Sequence, residues 1–151
     1  MVDTIAQGNG AEAAILHALV DAGLGVLVPF GNGLPFDLAA VAPGGQIVRL
    51  QVKSGRVRDG SVRFNSCSTD HGRGRLDYRG RADLIAVHVA SLSRVFVVPV
   101  DECPSYVGVL RLTAPRNNQR QGIRFAEDYS LEVWVESLSP AGGRTPHRAR
   151  R

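Results

Sequence analysis

The chain has 151 residues, of which 44% are hydrophobic and 21% charged, and its formal net charge is +4. That length suits one folded domain with a substantial core, and the composition is that of a soluble globular protein. Apolar runs such as Leu84 to Val87 and Val95 to Val100 are strand-length, too short to span a membrane, so no membrane partner is expected.

In chain order, a helix is expected from Ala11 to Ala22, stopped by Gly23, with Gly8-Asn9-Gly10 as a flexible entry able to cap it. Leu24 to Pro29 and Phe36 to Val41 read as strands around a Gly31-Asn32-Gly33 turn. Pro43-Gly44-Gly45 turns the chain into a hairpin partner, Ile47 to Lys53, and Ser61 to Ser66 reads as a further strand. Cys67 to Arg81, rich in Gly and Arg, is expected to be a long loop with a short helical piece. Asp83 to Val89, Val95 to Val100 and Val107 to Leu112 are β-branched strand signals. Arg116 to Gly122 reads as a loop, and Ala126 to Val135 fits either helix or irregular structure. The order predicts an α/β (α+β) fold, a mixed sheet flanked by helices. Residues 1–139 are expected to form its single domain, with 140–151 a basic, disordered tail.

The N-terminal residues lack a signal peptide's apolar stretch, so a cytoplasmic location is expected. Cys67 and Cys103 are then expected to be reduced, packed thiols rather than a disulfide. Positive charge is concentrated. From Arg49 to Arg81 nine basic residues face three acids, which leaves nine basic and eleven acidic residues elsewhere. A run of charge is ordinarily a solvated surface, but this one follows a strand of candidate functional residues, which points to phosphate contact.

Alternation in Ile47 to Lys53 sets Val48, Leu50 and Val52 on one face and Arg49, Gln51 and Lys53 on the other. A hairpin through Pro43-Gly44-Gly45 would bring Asp37 opposite Gln51 and Lys53, gathering a carboxylate, an amide and an amine. Glu12 shares a helical stripe with Ile15, Leu16 and Leu19, where a carboxylate is costly unless paired or bound to a cation. As a first-turn residue it also fits a second reading, pointing outward in favour of the helix dipole. Lys53 is the one lysine beside seventeen arginines. Where a guanidinium suffices elsewhere, this site uses a compact ammonium.

Asp37, then Gln51-Val52-Lys53 after a hairpin, with Glu12 on a preceding helix, resembles the PD-(D/E)XK nuclease superfamily. Within it the likeness is to the branch containing group I intron-encoded homing endonucleases. Tyr78-Arg79-Gly80 with Asp83, Leu110-Arg111-Leu112, Pro115 to Gln119 and Ile123 to Tyr129 also resemble that branch, so the likeness runs from about Gly8 to Tyr129. It implies a restriction-endonuclease-like fold and hydrolysis of DNA phosphodiesters. Asp37, Gln51 and Glu12 would hold Mg²⁺, with Mn²⁺ a substitute, and Lys53 would orient water or offset charge on the phosphate. Gln51 departs from the usual acid of the pattern; its carbonyl can ligate a hard cation but adds no charge. His17, His71, His88 and His147 share no metal-ligand spacing and read as structural or surface residues.

Arg56, Arg58, Arg63, Arg73, Arg75, Arg79 and Arg81 are expected to contact DNA. Tyr78 reads as a packed aromatic and Asp83 as a hydrogen-bonding residue at a strand start. Arg124, Glu127, Asp128 and Tyr129 fit either a structural corner or a subunit contact. Double-strand cleavage by so small a domain implies a homo-oligomer, dimer or tetramer. Two further readings stand beside the homing-type enzyme: a Holliday junction resolvase or repair nuclease of the same fold, and a catalytically silent DNA-binding protein.

Overall fold

The structure, a computed structural model, describes residues 4–70 and 74–139, apart from the side chains of Thr69, Asp70 and Arg75. Helix α1 (Thr4–Asp21) buries Ala11, Ile15 and Leu19, one side chain per turn along a single stripe. It ends as expected at Gly23, whose φ of 84° belongs to the left-handed region. There the Gly23 N–H donates to Val20 O at 2.9 Å and the Leu24 N–H to Leu19 O at 3.1 Å, closing the last carbonyls. Its start is a correction: the helix begins at Thr4, and Gly8-Asn9-Gly10 lies inside it. Once the Ala11–Leu19 stripe is anchored, each added residue gains a hydrogen bond, which offsets the roughly 1 kcal/mol that a helical glycine costs.

The strands in chain order are β1 (Gly25–Leu27), β2 (Leu38–Val41), β3 (Ile47–Ser54), β4 (Arg56–Arg58), β5 (Ser61–Asn65), β6 (Cys67–Asp70), β7 (Gly74–Asp77), β8 (Leu84–Val89), β9 (Arg94–Pro99) and β10 (Val107–Arg111). Helix α2 (Leu131–Leu138) follows. The central sheet runs β1-β2-β3-β8-β9; β3 and β8 are parallel and the other neighbours antiparallel. A second sheet runs β10-β5-β4, and β6 pairs with β7. The mixed sheet flanked by helices is as expected, with one refinement. Both helices pack on one face, against Leu50, Val52, Leu84 and Ala86, while Val62, Phe64 and Leu110 of the second sheet cover the other.

Two segments differ from expectation. Cys67 to Arg81 is not a loop with a helical piece but carries the β6–β7 hairpin, Cys67 opposite Asp77. A two-stranded ribbon held by ladder bonds needs no apolar face, so it leaves no period-two hydrophobic signal. The ambiguous Ala126–Val135 stretch divides into a 3₁₀ turn, Ala126–Tyr129, and α2, whose N-cap Ser130 accepts from the Val133 N–H at 3.3 Å. The corner reading of this region is supported: Arg94 forks onto Glu127 at 2.6 and 3.2 Å, and the Tyr129 hydroxyl donates to Glu102 at 2.6 Å. Cys67 and Cys103 are free thiols, and burial pushes Cys103 up to about 11. Among the described residues no helix is long and apolar enough to cross a membrane. His71, Arg73 and residues 140–151 lie outside the described residues.

Gly55 lets the chain leave one sheet for the other. Its N–H donates to His88 O at 2.8 Å, and β4 then diverges over Val87. A Cβ there would stand 2.6 Å from Val87 Cγ1 and 3.0 Å from Val62 Cγ1, both on buried side chains that cannot withdraw. Gly55→Ala is therefore expected to destabilise by about 1–3 kcal/mol, the usual cost of overpacking. Denaturant titration checks this; a midpoint equal to that of the parent chain would refute the packing account.

Candidate active site

Strand β2 stops pairing at Leu38, opposite Leu50, while β3 runs on. The Asp37 N–H still donates to Leu50 O at 3.0 Å, but the next rung, the Val52 N–H, has no β2 backbone to meet. Asp37 Oδ2 takes it at 2.8 Å and also accepts from Gln51 Nε2 at 2.6 Å. The hairpin thus brings Asp37 and Gln51 together as the alternation required. Gln51 presents its amide nitrogen to Asp37; the amide's two ends have nearly the same shape, so a half-turn offers Oε1 to a cation from the same place.

Glu12 approaches from α1. Burial, and then the negative charge of Asp37, push its carboxyl above the usual range. The first-turn reading of Glu12 therefore fails: the helix starts at Thr4, so Glu12 is well past the first turn, half-buried and within electrostatic reach of Asp37. Two carboxylates and an amide oxygen form a hard-oxygen donor set that suits a divalent ion such as Mg²⁺. Among the described residues no cluster of three or more Asp, Glu, His or Cys side chains could hold a metal; beside Asp37 and Glu12, position 51 supplies an amide and not a third acid.

Lys53 lies on the same face, one alternation beyond Gln51. Its ammonium donates to Cys67 O at 3.3 Å and sits 5.1 Å from the centroid of the Tyr78 ring. The ring is buried, and Arg81 stacks against it at 5.6 Å. Tyr78 is thus packed, as expected, yet it also seats Lys53, a contact that the sequence did not signal because the β6–β7 hairpin creates it.

Arg49, first of the polar-face trio, turns away from this group. Its guanidinium binds Asp83 through Nε at 3.1 Å and Nη2 at 2.9 Å, and its N–H donates to the same carboxylate at 2.8 Å. Hydrogen bonds from Arg49 hold Asp83 below the usual carboxylate range. The pair ties β3 to the start of β8, which bears out the strand-start role of Asp83.

A cleft of about 620 Å³ opens beside the cluster. Lys53, Arg56, Arg58 and Arg63 line it together with Thr4 and Gln7 of α1, Asn65 of β5 and Val107 of β10, and no acidic residue does. The other predicted arginines divide differently. Arg79 pairs with Asp77 at 3.6 Å and Arg81 donates to Ser68 Oγ at 3.4 Å, while Arg73 and the Arg75 side chain lie outside the described residues. Strand β4 was missed in the sequence, although Asp59-Gly60 between short alternating runs is a two-residue hairpin signal.

A family model described as PD-(D/E)XK endonuclease matches residues 2–132. Among solved structures the chain is similar to the bacterial homing endonuclease I-Ssp6803I. The two share 26% sequence identity and a TM-score of 0.71 over 91% of this chain and 94% of that one. No curated protein matches.

The Glu12 shift has a sign that can be tested. A carboxyl whose folded value is raised holds its proton more tightly when folded. Stability therefore falls as pH rises from the unfolded toward the folded value, and the full penalty persists above it. Glu12→Gln should raise the melting temperature at neutral pH in EDTA, and the gain should shrink in acid below the ordinary glutamate range. Melting curves across pH check this, and a gain independent of pH would count against burial beside Asp37.

Proposed function

The chain belongs to the PD-(D/E)XK endonuclease family, and from that premise we propose that it is a homing-type, divalent-metal-dependent DNA endonuclease with Glu12, Asp37, Gln51 and Lys53 as its catalytic residues. The observation that carries this reading is the pair of hydrogen bonds that Asp37 Oδ2 accepts from Gln51 and Val52, beside a Glu12 carboxyl raised by burial and then by the charge of Asp37. Two acids kept close without a paired cation are costly in a folded protein, and a divalent ion is the partner that turns that cost into binding.

Asp37, Glu12 and the Gln51 amide oxygen would hold Mg²⁺, or Mn²⁺ in its place. The chemistry such an ion supplies is polarisation of the scissile phosphate and a lowered pKa for the attacking water. Val52 contributes through its backbone, because its N–H pins Asp37 Oδ2 and removes the carboxylate's freedom to rotate. Lys53 supplies a positive charge beside the phosphate, offsetting charge that builds in the transition state. Its seat on Tyr78 and Cys67 O limits the rotamers it must give up to act. Arg56, Arg58 and Arg63 carry the sugar-phosphate backbone along the cleft. Cutting both strands takes two such sites, so the working form is a homo-oligomer, dimer or tetramer.

Supercoiled plasmid incubated with Mg²⁺ should be nicked and linearised, and EDTA should stop the reaction. Asp37→Ala and Lys53→Ala should each lower the cleavage rate by about 10²-fold or more while DNA binding persists. Wild-type rates in both variants would remove these residues from the site. Preference for a four-way junction over linear duplex in the same assay would replace the homing-type reading with a junction resolvase.

Gln51→Glu gives an independent check on the donor set. A third carboxylate should increase affinity for Mg²⁺ and lower the melting temperature in EDTA through added like-charge repulsion. An unchanged Mg²⁺ dependence of cleavage would mean that position 51 does not face the ion.

A further inference from the structure

Strand register gathers the cleft arginines on one face of a hairpin. Arg56 stands opposite Arg63, and Arg58 opposite Ser61. Across the next pairing, Arg63 stands opposite Val109 and Asn65 opposite Val107. Directly opposed residues of antiparallel strands share a face. Arg56, Arg58, Arg63, Asn65, Val107 and Val109 therefore form one surface, and all six are exposed. Val62, Phe64 and Leu110 point the other way and are buried, which locks this orientation.

That surface is electrostatically unfavourable in the free protein. Like charges directly opposed on neighbouring strands destabilise the pairing, and Arg56 and Arg63 are so placed. Among the described residues neither forms an ion pair. The nearest carboxylate to Arg58 is Asp59 at 4.0 Å, with both side chains 78% exposed. Packing does not require this arrangement, whereas a polyanion would relieve it.

Shape narrows the partner further. Asp59 and Gly60 have φ of 51° and 69°, the two-residue turn that joins strands most tightly. The β4–β5 hairpin is thus the outer edge of the three-stranded β10-β5-β4 sheet, with β4 outermost and a tip without bulk. The B-form major groove, about 12 Å wide, admits two strands side by side and so can take this edge hairpin, whereas the minor groove at about 6 Å cannot.

We infer that the β4–β5 ribbon, flanked by β10, enters the major groove of duplex DNA, its arginines and Asn65 facing phosphates and base edges. Val107 and Val109 supply apolar contact of the kind thymine methyl groups accept. The inference rests on the endonuclease reading for its partner, but it concerns the groove and not the cleavage chemistry. It also separates Arg56, Arg58 and Arg63 from Arg79 and Arg81, whose contacts with Asp77, Tyr78 and Ser68 make them supports of the Lys53 seat.

Binding can be measured apart from cleavage by fluorescence anisotropy at low salt, with Ca²⁺ replacing Mg²⁺. The probes are a mixed-sequence duplex, the same duplex with glucosylated 5-hydroxymethylcytosine filling its major groove, and the plain duplex saturated with the minor-groove ligand netropsin. Glucosylation should weaken binding about tenfold or more, and netropsin should change it by less than about twofold. The double variant Arg56→Gln/Arg63→Gln should lower the slope of log affinity against log salt by about 1 to 2. Melting curves verify that the double variant folds, and the two groove-blocking arms decide the matter if it does not. Equal affinity for plain and glucosylated DNA overturns the ribbon placement and leaves the endonuclease reading standing. No binding to any duplex overturns both.

Discussion

Strand β3 is longer than the partners that begin beside it, and on each side an aspartate just ahead of the neighbouring strand supplies the missing acceptor. Asp83, before β8, receives the Arg49 N–H at 2.8 Å; Asp37, before β2, receives the Val52 N–H at 2.8 Å. An unpaired backbone N–H in a half-buried strand is expensive, so both carboxylates are held where the ladder needs them. The position of the site follows from this backbone requirement.

The two aspartates differ in what else they meet. Asp83 is clasped by the Arg49 guanidinium and held below the usual range, so its charge is spent on structure. Asp37 meets a neutral amide from Gln51 and a second carboxylate from Glu12, whose own titration is raised. One backbone device thus yields a structural corner on one side of β3 and a pair of like-charged acids on the other. The distinction is electrostatic, and it separates two residues that look alike in the sequence.

The basic residues divide by the same test. Arg49, Arg79 and Arg94 are matched with acids, and Arg81 lies on Tyr78 beside Lys53. Arg56, Arg58 and Arg63 instead line a cleft with no acid in its wall, and of the three only Arg58 pairs with an acid among the described residues, the exposed Asp59 at 4.0 Å. Partly exposed pairs such as Arg49–Asp83 add little net stability, roughly 0–1 kcal/mol. Their effect is positional: Arg49–Asp83 and Arg79–Asp77 fix the segment that carries Tyr78 against Lys53, while Arg56 and Arg63 form no ion pair among the described residues.

Much of the site was legible because it depends on local geometry. Alternation in β3 and the Pro43-Gly44-Gly45 turn were enough to set Asp37 opposite Gln51, and periodicity put Glu12 on the buried side of its helix. The extension of α1 to Thr4 was not legible, since propagation from an anchored helix overrides the propensity of Gly8 and Gly10. Nor was the β6–β7 hairpin, whose ladder carries no hydrophobic pattern.

By itself, then, the sequence determined the polar trio of β3, the acids that could join it and the concentration of positive charge, because these follow from spacing and side-chain chemistry. Tertiary structure alone decided which aspartate would be neutralised, where the Lys53 ammonium would rest and which arginines would share a face. Those outcomes depend on contacts between segments distant in the chain, such as Arg49 with Asp83 and Lys53 with Tyr78, which exist only once the strands have taken their register.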